Sequence, residues 1–470
     1  MGSTTHFATV SRAARQDIIL GRTRTLAHMI NIKSMTSLLI CATVVSWSSL
    51  LTTPVCAGDR PNIMLIMADY VGVEALGCYG GESYRTPRLD ALADDGMKFR
   101  HCYSMPVCHP TRVTLMTGRY PFRIGNPKWG TFPKAEEQHS IGRVMQRAGY
   151  ATAVAGKWQI CMMKNDPDHA SRMGFDESCL FGWHEGARYH SPFIYQNGKR
   201  REGLESSYGP DVYVDFLIDF MRRNKDAPFF AYYPMALCHD VTDDLKDPVP
   251  FGPNGHYDSF STMVEAMDVR IGRLIDFLDE AGLRKNTIVL FTTDNGSPVR
   301  SIYSAKANPN PRKKDTYLRV PVVSRQNGVD VPGGKGSLSN GGTRVPLIVN
   351  WPGKVQPRQV VDDLVDFSDF LPTVAELGQA DLPAGVTLDG HSLVRRIIDG
   401  RASSRKWAFV EHRGQHWIRD RRWKLYGNGK LFDVSRDPAE RNALMRGKAS
   451  DQANAARSRL KSALTLLNVE

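Results

Sequence analysis

The sequence predicts an α/β fold: a large domain with a mostly parallel central sheet flanked by helices, then a small C-terminal antiparallel-sheet subdomain with a helix. Three observations carry this. Five apolar runs of strand length are spread through residues 61–349, and such continuous runs belong to strands buried on both faces. Helical periodicity lies between them, the alternation that builds a largely parallel sheet. After about residue 400 the texture changes to short strands separated by turn dipeptides.

The first run, Pro61–Ala68, stops at Asp69. Ala151–Ala155 runs into Gly156-Lys157, Phe229–Leu237 runs to His239, and Thr287–Thr293 runs into Asp294-Asn295. Val345–Val349 follows a glycine-rich segment holding Lys335. Polar chemistry in such sheets gathers outside the carboxyl ends of strands, so a polar group after four separate strands marks a site. In Asp258–Leu283, the residues Met263, Met267, Ile271, Leu274, Ile275 and Leu278 share one helical face, with Gly282 near the stop. Trp407–Glu411, His416–Arg419, Trp423–Tyr426 and Lys430–Phe432 read as a meander turning at Arg413-Gly414, Asp420-Arg421 and Asn428-Gly429. A helix from about Ala449 to Leu467 closes it. The expected division is a signal segment with an N-terminal extension at 1–57, a catalytic domain at 58–400 and the C-terminal subdomain at 401–470.

The 470 residues carry 61 Lys+Arg against 49 Asp+Glu, a net charge of +12, and 41% are hydrophobic. That apolar content excludes general disorder, and no repeat period appears. One stretch approaches bilayer length, from Met35 to Ala57. It is uncharged, follows Lys33 and ends in Val55-Cys56-Ala57, which suits a secretory cleavage site; the competing reading is a membrane anchor. Signal peptides rarely begin thirty residues before the apolar run, so Met29 is the better start. The protein is therefore expected to be exported, with no stable membrane span after cleavage. Removing 1–57 takes away five basic residues and one acid, leaving 56 against 48. The excess is spread along the chain, which disfavours nucleic acid as a partner. Six cysteines survive, at 78, 102, 108, 161, 179 and 238, with no CxxC and no zinc spacing.

The most specific segment is Cys108-His109-Pro110-Thr111-Arg112, ending in Thr117-Gly118-Arg119. It resembles the signature of the formylglycine-dependent sulfatases, of the alkaline-phosphatase-like superfamily. The resemblance covers roughly residues 60–445, including Arg60-Pro61-Asn62 at the start and Leu431–Glu440 near the end. It implies that a maturation enzyme oxidises Cys108 to an aldehyde whose hydrate is the nucleophile. A sulfate ester on an ordinary alcohol would be a stable dead end, whereas one on an aldehyde hydrate leaves as the second hydroxyl collapses to a carbonyl. Asp69, Asp294 and Asn295 offer only oxygen ligands, suiting Ca²⁺, or Mg²⁺, rather than zinc, and in the family such residues hold the ion with the modified cysteine. The resemblance further implies that Arg112 holds the nucleophile while Lys157, His239 and Lys335 bind sulfate oxygens. The glycine-rich stretch around Lys335 lacks Walker spacing, so it is not a nucleotide loop.

Two departures stand out. Tyr70 occupies the place of a second metal-binding aspartate, and Gln159 replaces a histidine near the nucleophile; glutamine donates a hydrogen bond but transfers no proton. The expected function is an exported hydrolase of aryl or carbohydrate sulfates, acting on a small molecule or a polysaccharide. The alternatives are a phosphodiester or phosphonate monoester hydrolase and a weakly catalytic sulfated-glycan binder. The basic stretch Pro298–Arg325, rich in Pro and Asn, is expected to be a loop on the pocket rim that selects polyanionic substrates.

Overall fold

A computed structural model describes residues 60–182, 185–240, 259–306, 316–445 and 450–469. The expected signal segment lies outside them. The strands in chain order are β1 Asn62–Ala68, β2 Met97–Tyr103, β3 Ala151–Gly156, β4 Glu177–Phe181, β5 Ile194–Gln196, β6 Lys199–Arg200, β7 Phe229–Pro234 and β8 Thr287–Thr293. There follow β9 Arg300–Lys306, β10 Thr316–Pro321, β11 Val323–Gln326, β12 Val329–Pro332, β13 Arg344–Asn350 and β14 Gln359–Asp366. The central sheet runs β14-β2-β13-β8-β1-β7-β3-β4-β5-β6.

This sheet is mixed. Its middle, β8-β1-β7-β3-β4, is parallel, as is β14-β2, while β13 runs antiparallel to both neighbours. That reversal matters for the site. The parallel strands and β2 bring their carboxyl ends to one edge, and β13 brings its amino end there, with the glycine-rich segment that precedes it. Both faces are buried, so β1 reads as one apolar run. Met64, Ile66 and Ala68 pack on the side of the helices Gly209–Arg223 and Phe260–Glu280. Ile63, Leu65 and Met67 face the side of the Cys108–Thr117, Ile141–Arg147 and Phe370–Leu377 helices. The Phe260–Glu280 helix begins where the Ser259 side chain accepts from the Thr262 N–H, an N-cap, and ends before Gly282 at φ 69.

The stretch from Pro298 to Arg325 is not a simple loop. β9 and β10 form an antiparallel ribbon with a register shift at Leu318/Arg319, and Ile302, Tyr303, Thr316, Tyr317 and Val320 are residue types that favour strands. Residues 307–315, with Arg312, Lys313 and Lys314, lie outside the described residues. The six cysteines described are all free thiols. No helix among the described residues is long and apolar enough to cross a membrane.

At the C-terminal end β15 Ala408–His412, β16 Gln415–Arg419, β17 Trp423–Tyr426 and β18 Leu431–Asp433 form an antiparallel meander. The Asp451–Leu467 helix packs on it, capped by Ser450. The core beneath joins Phe409, Trp417 and Leu425 to Tyr103, Tyr120 and Leu364 of the preceding chain. One buried cation stitches this junction. Arg405 pairs with Asp366 at 2.8 Å and with both oxygens of Asp369, and donates to the Asp389 carbonyl at 3.0 Å. Removing one member of a buried ion pair strands the others, so Arg405→Met is expected to cost about 3–5 kcal/mol in urea unfolding. Arg405→Lys should restore little of it, since an ammonium does not reproduce the forked geometry.

Candidate active site

The site forms at the sheet edge described above, by strand register. β1 and β8 pair from Asn62↔Thr287 to Ala68↔Thr293, which sets Asp69 and Asp294 side by side one step further on. The Asp294 N–H donates to Ala68 O at 3.0 Å, and the Tyr70 N–H to Asp294 Oδ1 at 3.3 Å. Lys157 follows β3 and is anchored by its N–H on Pro234 O. Gly156 turns the chain there with φ 118, and a Cβ would stand 2.1 Å from that same carbonyl, so only glycine fits. After β7 the chain folds over Asp69, with Asp69 N–H on Leu237 O at 2.7 Å and Cys238 N–H on Asp69 O at 2.6 Å, placing His239 alongside. Lys335 is carried in by its N–H on Ser297 O at 3.0 Å, while the next amide, Gly336, bonds Pro106 O. A Cβ on Gly296 would lie 1.8 Å from Gly341 O, so the Asp294–Ser297 turn and the glycine-rich segment touch backbone to backbone.

Cys108 opens its helix and is nearly fully buried. Its Sγ lies 3.5 Å from Asp69 Oδ1, 3.3 Å from Asn295 Oδ1 and 3.5 Å from Lys157 Nζ. Lys157 also pairs with Asp69 Oδ2. One turn along the helix, Arg112 donates to Asp294 Oδ2 at 2.8 Å and to Lys157 O at 2.5 Å. Two carboxylates and two cations thus sit sealed under the cysteine. Burial alone would raise the Asp69 carboxyl, but Lys157, His239 and Arg112 outweigh it and hold Asp69 well below the usual range. Burial and the Asp69 charge push the Asp294 carboxyl above its usual range, against Arg112 and Lys157. Burial and Asp294 raise the Cys108 thiol well above its ordinary value, so the unmodified group is a thiol and not a thiolate at neutral pH.

The donor atoms of Asp69, Cys108 and Asp294 lie within 4.8 Å of one another, and Asn295 Oδ1 points to the same sulfur. Buried, convergent and mostly oxygen, this set fits a hard divalent cation.

Above the cluster opens a cavity of about 880 Å³. Cys108, His239, Lys335, Tyr70 and Gln159 face it, while Asp69, Arg112, Lys157, Asp294 and Asn295 lie beneath. Tyr70, with its backbone at φ 64, organises the floor: its ring packs against His239 at 4.2 Å between centroids, tilted by 33°, and carries Lys335 Nζ 3.3 Å from its centre. Gln159, also left-handed at φ 62, has a buried Oε1 without a hydrogen-bond partner. Of the basic ribbon, Arg300 and Arg325 do not line the cavity, and Arg325 is spent on Glu82 and Asp330. The walls are instead Asn126–Trp129 and Glu411–Gly414. The sequence marked Arg413-Gly414 only as a turn; nothing in it placed that turn over Cys108.

A family model described as Sulfatase matches residues 61–380, and one for the C-terminal part of N-sulphoglucosamine sulphohydrolase matches 335–469. Mouse steryl-sulfatase is 29% identical, covering 77% of this chain and 69% of that protein. Human N-acetylgalactosamine-6-sulfatase is 26% identical, covering 80% and 75%. Among solved structures Ps i-CgsB superposes with a TM-score of 0.67 at 25% identity over 87% of this chain and 92% of its own. It has also been solved in complex with k-i-k-neocarrahexaose. A model spanning most of the chain, on a fold whose neighbours are sulfatases, fixes the family: the chain belongs to the sulfatases and is a sulfuric ester hydrolase.

Proposed function

We propose that the chain cleaves aryl or carbohydrate sulfates with a formylglycine made from Cys108, beside a Ca²⁺, or Mg²⁺, held by Asp69, Asp294, Asn295 and the modified Cys108. It is exported by the segment 1–57, ahead of a catalytic domain at 58–400 and a C-terminal subdomain at 401–470. The observation that carries this reading is Cys108 itself: its Sγ, on the cavity floor, touches two oxygen donors and an ammonium at once. A bound cation would supply Lewis acidity at the nucleophile and offset the sulfate charge.

The chain's own residues do the rest. Arg112 ties the nucleophile's helix to Asp294 and to the Lys157 backbone, fixing where the reacting atom points. Lys157 Nζ, beneath the cavity, favours the ionised form of an oxygen at the Cys108 position. His239 and Lys335 face the sulfate from the cavity floor. Burial and the nearby Arg188 and Lys157 charges hold His239 well below its usual range, so it binds as a neutral imidazole. Gln159 orients but moves no proton. Burial pushes Lys335 down to about 8, opposed by Asp69, which leaves Lys335 Nζ able to hand a proton to the departing alcohol oxygen.

Mass analysis of the Cys108 peptide from protein made in its native host should find the aldehyde or its hydrate. Only a thiol in fully active protein would sink the reading. Cys108→Ala should abolish turnover and keep the thermal midpoint.

Lys335 gives a pH test. Its ammonium is charged below about 8 and neutral above, so calorimetric affinity for inorganic sulfate should fall as pH rises through that value. Lys335→Gln should lack the decline. The same lowered value means the native state holds fewer protons than the unfolded chain between about 8 and 10.5, so this group adds stability as pH rises across that window.

Tyr70→Asp adds a carboxylate to the donor set, and aspartate tolerates the left-handed backbone at this position. Calorimetric Ca²⁺ affinity should rise by about tenfold, roughly 1.4 kcal/mol. An unchanged affinity would place the cation elsewhere.

A further inference from the structure

The segment that carries Lys335 has little of its own to hold it in place. Five of the ten residues 333–342 are glycine, so the chain there is fixed mainly through its own amides and carbonyls. In front, the Gly334 and Lys335 N–H groups share Ser297 O at 3.1 and 3.0 Å, and the Gly336 N–H reaches Pro106 O at 2.9 Å. Gly336 itself stands at φ 84, and a Cβ there would meet nothing within 4 Å. Behind Gly336 the grip comes from the C-terminal meander.

Lys424 and Tyr426 lie two apart on β17 and share one face of that strand. Lys424 is fully buried, and its Nζ donates to Leu338 O at 2.9 Å and to Glu440 Oε1 at 2.8 Å. The Tyr426 hydroxyl bonds Glu440 Oε2 and lies 3.2 Å from the same Leu338 carbonyl. Glu440 Oε1 also accepts from the Asn340 N–H at 3.3 Å, while Asn340 Nδ2 donates to Pro438 O at 3.0 Å. Glu440 does this from a left-handed backbone at φ 57, a conformation that costs a residue with a β-carbon and marks a position held for a purpose. Packing alone would be served by an apolar pair, because burying two charges often costs more than their attraction returns. Here both charges end on the backbone of Leu338 and Asn340, a few positions beyond Lys335.

We propose that Glu440, with Lys424 and Tyr426, is a positioning unit for Lys335: it clamps the glycine-rich segment by its backbone and keeps Lys335 Nζ over the Tyr70 ring, facing the sulfate. The inference rests on the reading of Lys335 as a sulfate-binding group. None of the three residues lines the cavity above Cys108; each acts through Lys335. With the rear grip released, the segment is free to turn about Gly336, and the ammonium meets the sulfate for a smaller part of the time.

The test is a double-mutant cycle in the full chain carrying Cys108→Ala, read by titration calorimetry with inorganic sulfate. Glu440→Gln should weaken sulfate by about five- to tenfold, and Tyr426→Phe should act in the same direction by less. On a Lys335→Gln background, Glu440→Gln should change sulfate affinity by less than about twofold, since the group it positions is gone. Arg422→Met removes an ion pair with Asp433 in the same meander without touching the segment. It should lower the thermal midpoint and leave sulfate affinity unchanged. Lys424→Met added to Glu440→Gln removes the stranded charge, so the thermal midpoint should recover while sulfate binding stays weak. In otherwise unaltered enzyme, Tyr426→Phe should lower kcat/KM for 4-nitrophenyl sulfate, and should not lower it further once Lys335→Gln is present. If Glu440→Gln fails to fold, Tyr426→Phe carries the same cycle. The proposal is overturned if Glu440→Gln and Tyr426→Phe leave sulfate affinity unchanged, or if Arg422→Met weakens sulfate as much as they do. If Lys335→Gln weakens sulfate and Glu440→Gln adds its loss in full, the sulfate reading of Lys335 stands and the positioning role falls. If Lys335→Gln alone leaves sulfate affinity unchanged, the sulfate reading fails and takes the positioning role with it.

Discussion

The arrangement depends on burying four charges under one cysteine. Asp69, Asp294, Lys157 and Arg112 are sealed from solvent, and each carboxylate is matched to one cation, Asp69 to Lys157 and Asp294 to Arg112. An unmatched charge at that depth would cost several kcal/mol, so none of the four can move without disturbing the others. That mutual dependence fixes the Cys108 Sγ position more firmly than any single contact on it. It also explains why the two acids differ. Asp69 sits beside the Lys157 and Arg112 charges and stays ionised, whereas Asp294 has Asp69 as a neighbour and is pushed upward.

The sheet's topology makes this cluster possible. A purely parallel sheet would deliver only strand carboxyl ends to the edge. Reversing β13 adds the glycine-rich segment in front of it, and pairing β13 with β2 sends the chain from Tyr103 toward Cys108. Backbone approaches as close as Gly296 to Gly341 then let three chain segments share a space that β-carbons would fill.

Much of this was legible in the sequence, for a definite reason. The central strands β1, β3, β7 and β8 are covered on both faces, so each reads as an unbroken apolar run, and the polar residue that ends it stands out. Asp69, Lys157 and the Asp294-Asn295 pair could be singled out on that basis, whereas Cys108, Arg112 and Lys335 were singled out by the resemblance of their segments to a known family. β2 and β14 stayed hidden, because Met97–Tyr103 mixes Lys98, Arg100 and His101 with its buried residues. Gln359–Asp366, on the sheet edge, carries Asp362 and Asp363. Edge strands carry charge to block further pairing, which erases the signal used for the centre. The reversal of β13 was equally silent, since an apolar run has no direction.

The cavity walls were the least legible part, and that too has a physical cause. The floor is built from strand ends, whose positions follow from register. The walls come from Asn126–Trp129 and from a turn nearly three hundred residues later in the chain, joined only by how the C-terminal meander packs. That packing is set by Arg405, which spans Asp366 and Asp369, and by the core shared between Trp417 and Tyr103. Substitution in the turn can therefore alter what the cavity accepts while the four buried charges stay as they are. Charges sealed under Cys108 are constrained by each other; a solvent-facing arginine on a two-residue turn is constrained only by its backbone. The floor and the walls of the cavity are thus held by parts of the chain under unequal physical constraint.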